Sequence, residues 1–196
     1  LSFYRRPAEE VAPDLIGRLL VRQLGRRRLV LRLVETEAYL GAPDRAAHAW
    51  RGRRTARNES LYLPGGHAYV YFVYGMHWCL NVVCGEPDEG GAVLLRAGEP
   101  LLGESTMRAR RGLADRVRPG DVAGGPGKLA QALAVDRALD GARLDGKGLW
   151  LAAGEPVPSS RIAIGPRIGV AYAGDAASWP LRFVEAGHPH VSRPRL

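Results

Sequence analysis

Cysteine is nearly absent from this 196-residue chain, with Cys79 and Cys84 the only two. Two thiols cannot staple a disulfide scaffold, and a reducing cytoplasm is the simpler setting. Lysine is equally scarce, at Lys128 and Lys147. No uninterrupted apolar run approaches the roughly 18–20 residues that a bilayer-crossing helix needs, which argues against an integral membrane protein. Leu1-Ser2-Phe3-Tyr4-Arg5-Arg6 leads into Pro7 and acidic Glu9-Glu10 without an apolar stretch of signal-peptide type, so secretion is not expected. Negative charge is in deficit too: 20 acidic residues face 28 basic ones, for a net +8.

What remains is ordinary globular material, 46% hydrophobic and 24% charged, sized for one domain over residues 1–196. Nearly all the positive charge is arginine, whose planar fork pairs with phosphate and stacks on bases. A basic domain points to a polyanion, nucleic acid ahead of an anionic membrane. An Arg-, Ala-, Gly- and Pro-rich composition also arises from genome base composition, so charge alone names no task.

Residues 7–17 read as a short helix ending at Gly17. Residues 18–24 and 28–39 alternate like two strands of a hairpin around Gly25-Arg26-Arg27. Arg45 to His48 has room for one helical turn, and a basic loop runs from Trp50 to Asn58. The strongest strand signal runs from Ala68 to Val73 and from Met76 to Val83, with Tyr74-Gly75 as a tight turn between them. Further strands are expected at Ala92–Leu95, Leu149–Leu151, Arg161–Ile164, Ile168–Ala171 and Leu181–Val184, and helices at Leu101–Arg111 and Pro126–Val135. Strands adjoin strands more often than they alternate with helices. The expected class is therefore α+β: a curved, mostly antiparallel sheet with peripheral helices and a protruding β-hairpin.

Three segments carry chemistry. In Val34-Glu35-Thr36-Glu37-Ala38-Tyr39, strand alternation puts Glu35, Glu37 and Tyr39 on one face. On a solvated face these are simply polar residues; lining a cleft, one carboxylate serves as general base toward water or steadies an oxocarbenium-like centre. Along Tyr69 to Trp78, alternation sets Tyr69, Tyr71 and Val73 against Val70, Phe72 and Tyr74. A Tyr-Gly-Met tip is unusual where Asn-Gly is the common turn; it suits a wedge between base pairs or folds back on its own domain. Arg51, Arg53, Arg54 and Arg57, interleaved with Thr55 and Asn58, mix the donors that phosphate contacts use, although a solvated charged loop has the same composition.

Other patterns fail. Gly124-Gly125-Pro126-Gly127-Lys128-Leu129 lacks the leading glycine of a P-loop and has Leu129 in place of the Ser or Thr that would meet Mg²⁺, though a helix start there still offers N–H groups to a phosphate. His188-Pro189-His190 is at most half a metal site, and neither cysteine completes it. No metal and no cofactor are expected. A Gly-x-Ser-x-Gly elbow is missing as well.

Val34 through Gly41, Ala46-Ala47-His48, Arg53 through Asn58, Tyr69-Val70-Tyr71 and Tyr74-Gly75-Met76 together resemble the alkyladenine (3-methyladenine, methylpurine) DNA glycosylases. The resemblance continues in family order through Cys79-Leu80-Asn81, Ala92 to Ala97, Gly125 to Leu129, Arg167 to Val170 and Pro180 to Phe183, covering nearly the whole chain. It implies a monomeric, monofunctional enzyme of base excision repair that acts on damaged double-stranded DNA. Such an enzyme turns an alkylated or deaminated purine out of the duplex and hydrolyses its N-glycosidic bond. By similarity Glu37 is the general base, with Arg96 and the carbonyl of Ile168 helping to hold the water. Tyr39, His48 and Tyr71 correspond to walls of the base pocket, Ala46 lies beside them, and Asn81 stands where guanine is excluded by its 2-amino group. Tyr74 corresponds to the residue that fills the gap left by the everted nucleotide. Arg53, Thr55, Met76, Lys128 and Gly169 fall at DNA contacts, and Arg57 of the basic loop joins them. An ionised Glu37 beside Arg96 is expected to have a depressed pKa.

Three rivals stand beside this reading. A non-catalytic lesion-binding module would need the aromatics but not Glu37 and Arg96. A glycosylase/lyase would need a Schiff-base lysine, with only Lys128 and Lys147 on offer. An RNA-binding domain would use the same basic and aromatic surface.

Overall fold

A computed structural model describes residues 2–73, 75–114 and 116–196. Among these residues eight strands form one sheet, antiparallel at every pairing: β1 (Leu19–Leu24), β2 (Arg27–Tyr39), β3 (Ala68–Val73), β4 (His77–Cys84), β5 (Gly91–Leu102), β6 (Leu149–Ala152), β7 (Ile162–Gly165) and β8 (Arg182–Glu185). The order is β3-β4-β5-β2-β1-β6, with β8 joining β2 where β1 has ended and β7 pairing β8. Among the described residues three short α-helices, α1 (Ala8–Asp14), α2 (Glu104–Arg111) and α3 (Pro126–Ala132), pack against it. The α+β expectation holds.

Strand alternation decides which side chains meet the helices. Val70, Leu80, Val82, Val93 and Leu95 join Leu29, Leu31 and Leu33 in the main core, closed by Val11 of α1, Leu15 just after it, Met107 of α2 and Leu129 of α3. The intervening residues of β3, β4 and β5, including Tyr69, Tyr71, Asn81, Leu94 and Arg96, line a cavity instead.

One irregularity governs the site. Leu33 pairs with Gly98 and Glu35 with Ala97, then Thr36 with Leu95, so the β2–β5 register passes over Val34 on one strand and Arg96 on the other. An extra residue on a strand reverses the parity of the residues beyond it. Leu31 and Leu33 face the main core, and so does Ala38 beyond the bulge. Thr36 takes the same side, donating its hydroxyl to Ala12 O of α1 at 2.9 Å. Glu35, Glu37 and Tyr39 are thereby sent the other way.

Three sequence expectations are corrected. The helix expected from Leu101 begins at Glu104, because β5 runs on until Leu102 pairs with Val30, and Gly103 then turns at φ 78. That position needs glycine, since a Cβ there would run into Leu29. The helix expected to reach Val135 stops at Ala132, and Ala134 is left-handed at φ 50. Ile168–Ala171 is not a strand: Gly169 at φ 77 breaks the extended chain, and 3₁₀ turns occupy Ala171–Ser178.

Candidate active site

The cavity lined from β3, β4 and β5 measures about 560 Å³, and Tyr39, His48, Tyr71, Asn81 and Ile168 contribute to its wall. Glu37 lies directly behind that wall, fully buried. Its Oε1 accepts from the Ile168 backbone N–H at 2.7 Å, and its Oε2 accepts from the Tyr39 hydroxyl at 3.0 Å and Arg96 Nη1 at 3.3 Å. Tyr39, Arg96 and Ile168 all line the cavity. The sequence reading drew on the Ile168 carbonyl; the bond seen here comes from its N–H.

Glu35 is buried as completely but has more donors. Its carboxylate accepts from Arg96 Nε at 2.8 Å, Arg182 Nε at 2.9 Å, and the Ser192 N–H and hydroxyl at 2.7 and 2.8 Å. A carboxylate offers about four lone-pair sites. On Glu35 three donors crowd Oε1 and one meets Oε2, whereas on Glu37 two donors meet Oε2 and one meets Oε1. Burial works to raise the Glu35 pKa, but Arg96, the Ser192 N–H and Arg182 hold it below the ordinary carboxylate value. At Glu37 burial prevails over Arg96, Ile168 and Tyr39, and the pKa is raised. The depressed pKa expected for Glu37 is thus corrected, because desolvation outweighs the attraction of an arginine that it shares with Glu35.

The aromatic wall comes from β3 alternation and one loop. Tyr69 and Tyr71 sit 5.4 Å apart between ring centroids, and His48 stands edge-on to Tyr71 at 4.6 Å. His48 Nδ1 is 2.7 Å from the Tyr69 hydroxyl. Surrounding protein, then Arg57 and Arg53, push the His48 pKa down, so the imidazole is neutral at pH 7. Asn81 is buried and donates Nδ2 to Tyr69 O at 3.1 Å. Ala46, also buried, accepts from the Tyr172 hydroxyl at 3.3 Å.

The sequence reading missed the clamp that holds these pieces. Asp44 and Arg167 form a fully buried ion pair, with Arg167 Nη2 2.9 Å from Asp44 Oδ1 and Nη1 bonded to Asp44 Oδ2 and to Ala38 O. Asp44 also accepts from the N–H groups of Leu40 and Ala46. The Arg167 guanidinium lies 4.7 Å over the Tyr39 ring. One pair thus ties the loop bearing Ala46 and His48 to the segment bearing Ile168.

This arrangement, a buried carboxylate with three donors behind an aromatic slot on a basic protein, agrees with what the chain is similar to. Residues 2–189 match the sequence family described as Methylpurine-DNA glycosylase. The chain belongs to that family. It is 48% identical over 193 residues to a protein of Methanocella arvoryzae provisionally named 3-methyladenine DNA glycosylase, covering 98% of this chain and 94% of the relative. A Streptomyces avermitilis protein with the same provisional name is 48% identical over 97% of this chain and 89% of its own length. A third, from Natranaerobius thermophilus, is 41% identical over 97% and 96%. The protein is a DNA glycosylase of base excision repair.

Around the mouth of the glycosylase cavity the basic loop divides. Arg53 is exposed, while Arg54 is engaged by Glu59 and Asp88. Arg57 donates Nη2 to Phe72 O at 2.7 Å, fastening the loop beside β3. Asn58, read from sequence as a phosphate donor, is buried instead: its Oδ1 accepts from the N–H and hydroxyl of Thr55, and its Nδ2 donates to the carbonyls of His48 and Arg53. Met76 is 68% exposed, Gly169 is exposed at φ 77, and Lys128 lines the cavity with Nζ 3.5 Å from Gly120 O. Tyr74 lies outside the described residues. Among the described residues no group of three or more His, Cys, Asp or Glu could hold a metal, and no helix is long and apolar enough to cross a membrane.

Proposed function

We propose that this DNA glycosylase everts an alkylated or deaminated purine (the 3-methyladenine, 7-methylguanine, hypoxanthine and ethenoadenine class) from duplex DNA and hydrolyses its N-glycosidic bond. An enzyme acting on a stacked base must first take it out, at a cost of a few kcal/mol that damage lowers. The base enters between Tyr39, Tyr71 and His48. Alkylation at N3 or N7 gives the purine positive charge, and aromatic faces attract a cation by about 0.5–2 kcal/mol per contact. The neutral His48 adds no repulsion. Asn81 screens against the 2-amino group of undamaged guanine.

Glu37, partnered by Ile168 N–H, Tyr39 and Arg96, accepts a proton from water. The water oxygen then bonds to C1′ as the C1′–N bond breaks and its electron pair leaves with the base. An alkylated purinium departs neutral, whereas a neutral lesion such as hypoxanthine also takes up a proton from solvent. An abasic site and the free base result. A raised pKa makes a stronger base of an ionised carboxylate. Arg53, Thr55, Arg57, Tyr74, Met76, Lys128 and Gly169 grip the DNA, Tyr74 filling the vacated place in the stack. The enzyme acts as a monomer.

The observation that carries this reading is the contrast between Glu35, with four donors, and Glu37, with three donors that all line the aromatic cavity. A panel of single-lesion duplexes, scored for alkali-labile abasic sites, tests it: release is expected from at least one alkylated purine and none from undamaged guanine. Because Lys128 also lines the cavity, a lyase route through its amine is the second reading. Borohydride trapping separates the two, and the hydrolytic mechanism predicts no covalent adduct.

A further inference from the structure

A second cavity, of about 350 Å³, lies beside the first. Arg118, Lys128, Arg193 and Arg195 line it, against one carboxylate among the described residues, Asp121. That carboxylate is committed to the backbone N–H and Nε of Arg118, at 2.9 and 3.4 Å. Arg195 uses one Nη2 bond, to Pro189 O at 3.1 Å, and is otherwise exposed. Arg193 is exposed as well.

Two links join this cavity to the catalytic one. Lys128 lines both. At the back, Ser192 lines the second cavity while its hydroxyl donates to Glu35 at 2.8 Å and accepts from Arg96 Nη2 at 3.4 Å. An anion here would lie one side chain away from the arginine that contacts Glu37.

We infer that this second cavity holds a phosphodiester of the DNA strand running on from the everted nucleotide, with Arg193 and Arg195 as its principal partners. The inference rests on the glycosylase reading above and adds a strand contact outside the positions that the family resemblance supplies. The excess of cations selects an anion. Guanidinium forks suit phosphate oxygens in particular. Shared use of Lys128 leads a strand that presents its base to the first cavity on toward the second.

The test uses the whole protein and an Arg193→Ala/Arg195→Ala variant whose altered side chains are exposed; its thermal unfolding serves as the folding control. Binding to a hypoxanthine duplex is measured against salt, and neutral methylphosphonates are placed one at a time at phosphates flanking the lesion. Each lost phosphate contact flattens the log K against log salt slope by about 0.9, so the double variant, which gives up one phosphodiester, is expected to be shallower by about 0.9. In the wild type one flanking methylphosphonate weakens binding; in the variant the same replacement has no further effect. A variant that keeps the wild-type slope and the full methylphosphonate penalty, while the wild type binds and excises, overturns the second site alone. Loss of inorganic phosphate binding without any change toward DNA overturns it too, by assigning the cavity to a free anion. Wild-type protein that releases no base from any lesion rejects the glycosylase mechanism instead.

Discussion

Glu35 and Glu37 share a strand face and an arginine, yet they differ in what else donates to them. Ser192 and Arg182 complete Glu35; Glu37 receives one backbone N–H, one phenol and the longer arm of Arg96. The folded state therefore favours the ionised form of Glu35 and the protonated form of Glu37. For stability the signs are opposite. Glu35 contributes stability above its unfolded pKa and loses it as pH falls through the lowered folded value. Glu37 contributes below its unfolded pKa and loses it as pH rises through the raised one. At pH 7, Glu35→Gln is expected to cost about 3–5 kcal/mol, as breaking a buried pair does, whereas Glu37→Gln is neutral or stabilising; urea melts of the two variants check this.

With Glu37 as the proposed base, the same shift is expected to set an acid limb on catalysis. Single-turnover release of 7-methylguanine, whose charge removes the need to protonate the leaving base, should fall as pH drops through a value above the ordinary glutamate range. Tyr39→Phe removes a hydrogen bond that holds the Glu37 pKa down, and so should move that limb to higher pH. A limb that stays in place in the variant removes Tyr39 from this role.

At the scale of elements, what the sequence revealed depended on distance along the chain. Alternation placed Glu35 with Glu37 and Tyr39, and Tyr69 with Tyr71, because a pleated strand fixes faces by parity alone. The bulge was written there too: apolar residues fall at 29, 31 and 33, then at 38 with Thr36, a change of parity that the alternation argument passed over. Leu101 and Leu102 were read as helix because a helical window scores apolar residues without knowing that Val30 waits as a cross-strand partner. Asp44 and Arg167 are 123 residues apart, and nothing local in either segment announces the other. Their pairing joins a loop and a turn whose own backbone bonds are local. Asp44→Asn is expected to destabilise the fold by about 3–5 kcal/mol and to slow base release further at temperatures where the fold survives; calorimetry with single-turnover assays at matched folded fraction reads both.

Across the whole molecule, helices cover one face of the sheet and the cavity takes side chains that alternate with that core, so core packing and catalytic geometry are set by the same strand parity. The net charge of +8 is spread over many arginines, but ion pairing withdraws some of them. Arg54 is held by Glu59 and Asp88 while Arg53 faces solvent. Arg53→Ala should therefore flatten the salt dependence of DNA binding by about 0.9 in slope, one phosphate contact, and Arg54→Ala should leave it nearly unchanged. Equal effects from the two would show that the loop acts as diffuse charge.

The most direct test of Glu37 as the general base is Glu37→Gln in a single-turnover assay on a hypoxanthine or ethenoadenine duplex, with lesion binding measured alongside. The amide preserves shape and loses the base, so lesion DNA should bind as tightly as it does to the wild type while base release falls by orders of magnitude. Release at near wild-type rates would place the general base elsewhere and leave Glu37 as a buried structural carboxylate.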